Sequence, residues 1–127
     1  MEATMTRSRT VRLGPVEAIP LGEGRAFVVD GEAVAVFRTR GGGLFATQAF
    51  CPHGRGPLAD GLVGRGTVLC PLHAFAFDLA SGRSLGGSCA DLRSYAVSSG
   101  ANGEIVLQIP AARERTKVDN LRQGTAA

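Results

Sequence analysis

The chain has 127 residues, of which 44% are apolar and 20% charged, with a formal net charge of +3. That length is one domain with one modest core, and so small a charge gives no argument for nucleic acid. The basic residues scatter without a helix-turn-helix or aromatic stacking motif. Met1 to Arg12 is polar and holds three Arg, so it reads as neither a signal peptide nor a membrane anchor.

Eighteen Gly and six Pro suit many short strands joined by tight turns. Arg25 to Val29 and Ala33 to Arg38 are apolar or alternating runs, and the Asp30-Gly31 between them is a hairpin signal. Arg40-Gly41-Gly42-Gly43 turns the chain into a strand over Leu44 to Gln48. Residues 49–87 are dense in Gly and Pro, with strands expected over Thr67 to Cys70 and Phe75 to Asp78. Leu92 to Ser98 and Glu104 to Ile109 form a further hairpin across Gly100-Ala101-Asn102-Gly103. No internal repeat, heptad or long helical stripe interrupts this pattern, so the fold class is all-β. The organisation expected is a flexible N-terminus at 1–10, one domain at 11–110 and a polar tail at 111–127.

Cys51-Pro52-His53 and Cys70-Pro71-Leu72-His73 are the two segments that carry chemistry. The chain holds only three Cys and two His, and all but Cys89 fall in these segments. Thiolate suits iron–sulfur chemistry or zinc, and imidazole accepts both metals. A [2Fe–2S] cluster of the Rieske type uses this mixed set, two Cys on one iron and two His on the other. Structural zinc in a Cys2His2 site is the competing reading. Zinc sites usually group the cysteines in one arm and the histidines in the other, whereas here each arm holds one of each. Cys51, His53, Cys70 and His73 are therefore the candidate metal and cofactor ligands. Cys89 reads as a small, half-buried residue near their loops.

The motif and its surroundings resemble the Rieske family. Gly56-Pro57-Leu58, Gly61-Leu62-Val63, Cys70-Pro71-Leu72-His73 and Phe77-Asp78-Leu79 with Gly82 are similar to one branch of it, the small subunit of assimilatory NAD(P)H-dependent nitrite reductase. Many small subunits of that branch lack the ligands, and this chain keeps all four. The resemblance implies a base of antiparallel sheets carrying a smaller cluster-binding subdomain at about 49–87. It implies that the two His reach the surface, which makes that edge the electron exit. Quinol-oxidising relatives carry an extra Cys in each loop, joined as a disulfide. Here Arg55 or Gly56 and Leu72 stand in those places, which points to a cytoplasmic protein.

Pro52, Pro57 and Pro71 are expected to stiffen the loops, and Gly54, Gly56, Gly61 and Gly64 to permit tight turns. Phe50, Phe75 and Phe77 read as packing beneath the cluster, and Asp78 and Ser81 as turn residues. Both His are used as ligands, and there is no phosphate loop or Rossmann glycine pattern, so no catalytic residue is assigned. The function implied is one-electron transfer as the small subunit of a nitrite reductase, with a flavin and sirohaem large subunit as redox partner. The alternative is a stand-alone ferredoxin passing electrons from a flavin reductase to a ring-hydroxylating dioxygenase. Neither nucleic acid nor membrane is an expected partner.

High-potential relatives hydrogen-bond their cluster sulfurs through a Ser and a Tyr hydroxyl, which stabilises the added electron. His73 is followed here by Ala74, Phe75, Ala76 and Phe77, none with a hydroxyl. Protein-film voltammetry is expected to place the midpoint near the low end of the about −150 to +300 mV Rieske range. A midpoint well above zero would contradict that reading.

Overall fold

The computed structural model describes residues 8–52, 55–72, 75–85 and 90–110. Among these residues ten strands form three antiparallel sheets. The first sheet has the order β1-β10-β9, from Ser8–Pro15, Glu104–Pro110 and Val97–Ser99. The second has the order β2-β3-β4-β8, from Glu23–Val29, Glu32–Arg38, Leu44–Gln48 and Ser94–Tyr95. The third, smaller sheet has the order β5-β6-β7, from Leu62–Gly64, Thr67–Leu69 and Ala76–Asp78.

Alternation along β3 explains how these sheets are held together. Side chains along a strand point to opposite faces in turn, and β3 is apolar on both. Val34 and Val36 face one core, shared with Ile105, Leu107 and Ile109 of β10 and with Ile19. Ala35 and Phe37 face a second core, shared with Leu58, Val68, Phe77, Leu79 and Leu92. All four β3 residues are fully buried. The first core joins the two larger sheets face to face, and the second joins the middle sheet to the smaller one. Cys51 and Cys70 belong to the second core.

The β2–β3 hairpin forms as its Asp30-Gly31 signal predicts. Both residues take the left-handed conformation, with φ of 52° and 82°, and Val29 pairs with Glu32 across the turn. This is the backbone a two-residue hairpin requires. On the same hairpin Gly24 lies opposite Phe37. A Cβ at Gly24 would come within 2.6 Å of the Phe37 ring, so the missing side chain makes room for the ring.

Three elements differ from the sequence expectation. The run Leu92 to Ser98 is two strands in different sheets, β8 paired to β4 and β9 paired to β10. The chain changes sheet at Ala96, whose carbonyl accepts from the Gln108 amide at 2.9 Å. The run Leu92-Arg93-Ser94-Tyr95-Ala96-Val97-Ser98 carries no Gly or Pro to mark that change. β5 was not expected as a strand. It pairs with β6 across Arg65-Gly66, whose φ values of 53° and 76° make a second left-handed turn. β1 begins at Ser8, inside the stretch assigned to the N-terminus at 1–10, because Arg9 and Thr10 pair with Ile109 and Gln108. The expected tail at 111–127 lies outside the described residues.

Phe37 contributes the largest side chain that β3 sends into the second core. Phe37→Ala is expected to cost about 3–5 kcal/mol, the usual range for emptying a buried Phe site. Equilibrium unfolding in denaturant measures it, and a loss below about 1 kcal/mol would mean the site collapses around the smaller side chain.

Candidate metal centre

Two hairpin loops of the same length carry the candidate ligands. In the first, the Cys51 amide donates to the Gly56 carbonyl at 2.9 Å, and Phe50 bridges Pro57 just outside. In the second, the Cys70 amide donates to the Phe75 carbonyl at 2.8 Å, and Leu69 pairs with Ala76 just outside. Each loop therefore opens on a Cys and is closed by that residue's own N–H five residues later. This closure ends β6 at Leu69 and starts β7 at Ala76, one residue short of the expected strand at each side. His53, Gly54, His73, Ala74 and Cys89 lie outside the described residues.

The two loops touch through Gly56. A Cβ there would lie 2.7 Å from the Cys70 Sγ and 3.0 Å from the Leu72 Cγ. Gly56 is thus needed for the approach of the loops, and its φ is not left-handed. Gly61 acts in the same way, since a Cβ there would meet the Leu69 carbonyl oxygen at 2.1 Å. Both stand in turns as expected, Gly61 donating its amide to the Leu58 carbonyl at 2.9 Å and Gly56 closing the first loop, but close approach of a neighbouring segment is what requires glycine there. Arg55 is the left-handed residue of the first loop, with φ 60°, and its amide donates to the Cys51 carbonyl at 2.8 Å.

The surroundings hold the first loop by polar contacts and the second by packing. The Gln48 amide donates to the Arg93 carbonyl at 2.9 Å, and its side-chain oxygen accepts from the Arg93 amide at 2.8 Å. Its side-chain nitrogen donates to the Phe50 carbonyl at 2.9 Å. One residue thus fastens the end of β4, the entry of the first loop and the start of β8. Its place three residues before Cys51 was the only signal in the sequence. Beside it, the Tyr95 hydroxyl donates to Glu32, which pairs with Arg93 at 3.3 Å. Phe77 is fully buried and Phe75 packs against the same core. Phe50 departs from its expected packing role and is 43% exposed.

Asp78 and Ser81 are turn residues, as expected. The Ser81 hydroxyl and amide both donate to the Asp78 carboxylate, at 2.7 and 2.9 Å. Those bonds, with a smaller effect from Arg83, hold the Asp78 carboxyl below its ordinary value. The group caps the turn after β7.

Both sulfurs lie at the edge of an apolar core, with Cys51 and Cys70 no more than 1% exposed. A pair of Cys sulfurs kept from water fits a cluster that needs soft ligands and a dry environment. The Gly56 contact brings the loops close enough that a side chain would not fit between them.

The comparisons agree with this geometry. The Rieske [2Fe-2S] domain family matches residues 9–96. Over 101 residues the chain is 35% identical to the 3-phenylpropionate/cinnamic acid dioxygenase ferredoxin subunit of Escherichia coli K12, covering 78% of this chain and 92% of that one. Over 67 residues it is 34% identical to the ferredoxin component of the naphthalene 1,2-dioxygenase system of Pseudomonas aeruginosa, 53% of this chain and 64% of that protein's length. In structure it is similar to a provisional NADH-dependent nitrite reductase small subunit of Mycobacterium tuberculosis. That match has a TM-score of 0.77 and 24% identity, and covers 84% of this chain and 99% of that one. No helix among the described residues is long and apolar enough to cross a membrane.

Gly56→Ala is expected to push the loops apart, lower the iron and sulfide bound per chain, and cost about 1–3 kcal/mol by overpacking. Iron and acid-labile sulfide analysis with thermal unfolding checks it. Full cluster content at an unchanged Tm would show that the loops do not meet at Gly56. The fold, the paired loops and the match over residues 9–96 agree, and the chain is a member of the Rieske [2Fe-2S] family, whose cofactor is a Rieske-type cluster.

Proposed function

We propose that the chain is a one-electron carrier in which Cys51 and Cys70 hold one iron of the cluster and His53 and His73 the other. The observation that carries this reading is the pair of equal loops, each opened by a buried Cys and closed by that Cys amide. The bound cluster supplies reversible one-electron storage. The chain's own residues keep water from the sulfurs, through Leu58, Val68, Phe77 and Leu79, and hold the loops at fixed separation through Gly56. A site that does not rearrange when its charge changes suits electron transfer. The carrier unit spans 11–110, with 49–87 as the cluster-binding part.

The partner we propose is the flavin and sirohaem large subunit of an assimilatory nitrite reductase. Gly56-Pro57-Leu58 and the run Cys70-Pro71-Leu72-His73-Ala74-Phe75 support it. A second reading, a ferredoxin serving a ring-hydroxylating dioxygenase in the cytoplasm, is favoured by the 35% identity to the E. coli ferredoxin subunit over 92% of its length.

Cys51→Ser and His73→Ala are each expected to abolish the visible iron–sulfur absorption. A variant that keeps full colour would remove its residue from the ligand set. Copurification from cells grown on nitrate, with mass spectrometry, separates the partners. A flavin and sirohaem subunit supports the first reading, and an oxygenase or small flavin reductase the second.

A further inference from the structure

Beside the first ligand loop lies an open cavity of about 560 Å³ whose walls include Glu32, Gln48, Phe50, Pro52, Arg55 and Arg93. Its charged side chains are two guanidiniums and one carboxylate. Glu32 is nearly buried and already engaged, pairing with Arg93 and accepting from Tyr95. Asp30, next to Gly31 at the cavity edge, is paired with Arg9. Arg55 is exposed, and its guanidinium makes no hydrogen bond or ion pair among the described residues. The left-handed backbone at Arg55 and its amide bond to Cys51 fix the base of that side chain beside the loop. Phe50 at 43% exposure and exposed Pro52 add an apolar wall to the cationic one.

From this arrangement we infer that the cavity is the specificity-determining part of the docking face, and that it receives an Asp or Glu carboxylate carried on an apolar surface of the redox partner. The inference rests on the one-electron carrier reading and adds the chemistry of the partner to it. An arginine fork suits a carboxylate through paired N–H donors. The partner's apolar rim covers Phe50 and Pro52. A partner with a basic face meets Arg55 unfavourably, and such repulsion selects partners as strongly as attraction does. The feature is local, because charges further than about 8–10 Å away are screened at ordinary ionic strength.

Small oxidants of opposite charge test it on the holoprotein. The reduced protein is mixed in a stopped-flow instrument with hexacyanoferrate(III), an anion, or with tris(phenanthroline)cobalt(III), a cation, each taking one electron from the cluster. The rate with the anion is expected to fall as ionic strength rises. Arg55→Glu should lower that rate about fivefold at low ionic strength and raise the rate with the cation. Arg65→Glu makes the same charge change on the β5–β6 turn, outside the cavity, and should change either rate less than about twofold. Equal effects of the two variants, or unchanged rates in Arg55→Glu at full colour, overturn the proposal and leave the ligand assignment standing. Loss of the ligand assignment shows separately, as retained colour in Cys51→Ser. Should Arg55→Glu lose its cluster, NMR titration of the oxidised wild-type protein with hexaglutamate decides. Saturable shifts at the Gly31, Ala33 and Gln48 amides support the cavity, and their absence overturns it.

Discussion

The burial of β3 on both faces is the constraint from which the rest of the molecule follows. A strand at a surface needs one apolar face, but β3 must satisfy two cores at once, so each of its four central positions is restricted in size and none is polar. Val34 and Val36 fix the packing of the two larger sheets, and Ala35 and Phe37 fix the smaller sheet. A slip of one residue would exchange these pairs and put the Phe ring into the wrong core, so register is strongly specified. The smaller sheet, with Cys51 and Cys70 beside it, is therefore no loose appendage. The two sulfurs sit at the edge of a core whose other wall is the centre of the scaffold.

The two loops show how little sequence is needed to build such a centre once that wall exists. Each repeats one device, a Cys whose amide closes the hairpin while its side chain turns into the core. This closure uses the two Cys amides. No hydroxyl stands in the four residues after His73, in keeping with a midpoint expected near the low end of the Rieske range.

Much of this was legible in the residues, for identifiable reasons. The ligand types and their order determined the chemistry, because few centres take one Cys and one His from each of two arms. Asp30-Gly31 and the β2–β4 runs determined the middle sheet, since turn chemistry and alternation agree there. Features that depend on what lies across the fold were not legible. Arg65 adopts a left-handed turn that its residue type does not announce. At Ala96 a run without Gly or Pro divides between two sheets. Gly56 looks like any loop glycine until the Cys70 sulfur is placed against it. Phe50 reads as core but is 43% exposed, because the residue after it, Cys51, is the one that turns inward.

That reversal at Phe50 and Cys51 links the core to recognition. Adjacent residues in an extended chain point in opposite directions, so burying the sulfur obliges the preceding aromatic ring to face outward. The ring then stands on a surface already made concave by Gly31, Ala33 and Ala49, beside two arginines. An exposed apolar group alone discriminates poorly between partners, and a charge alone is weakened by salt. Placed together within one cavity they require a partner that matches both, which is how a small carrier can favour one oxidoreductase among several of similar potential.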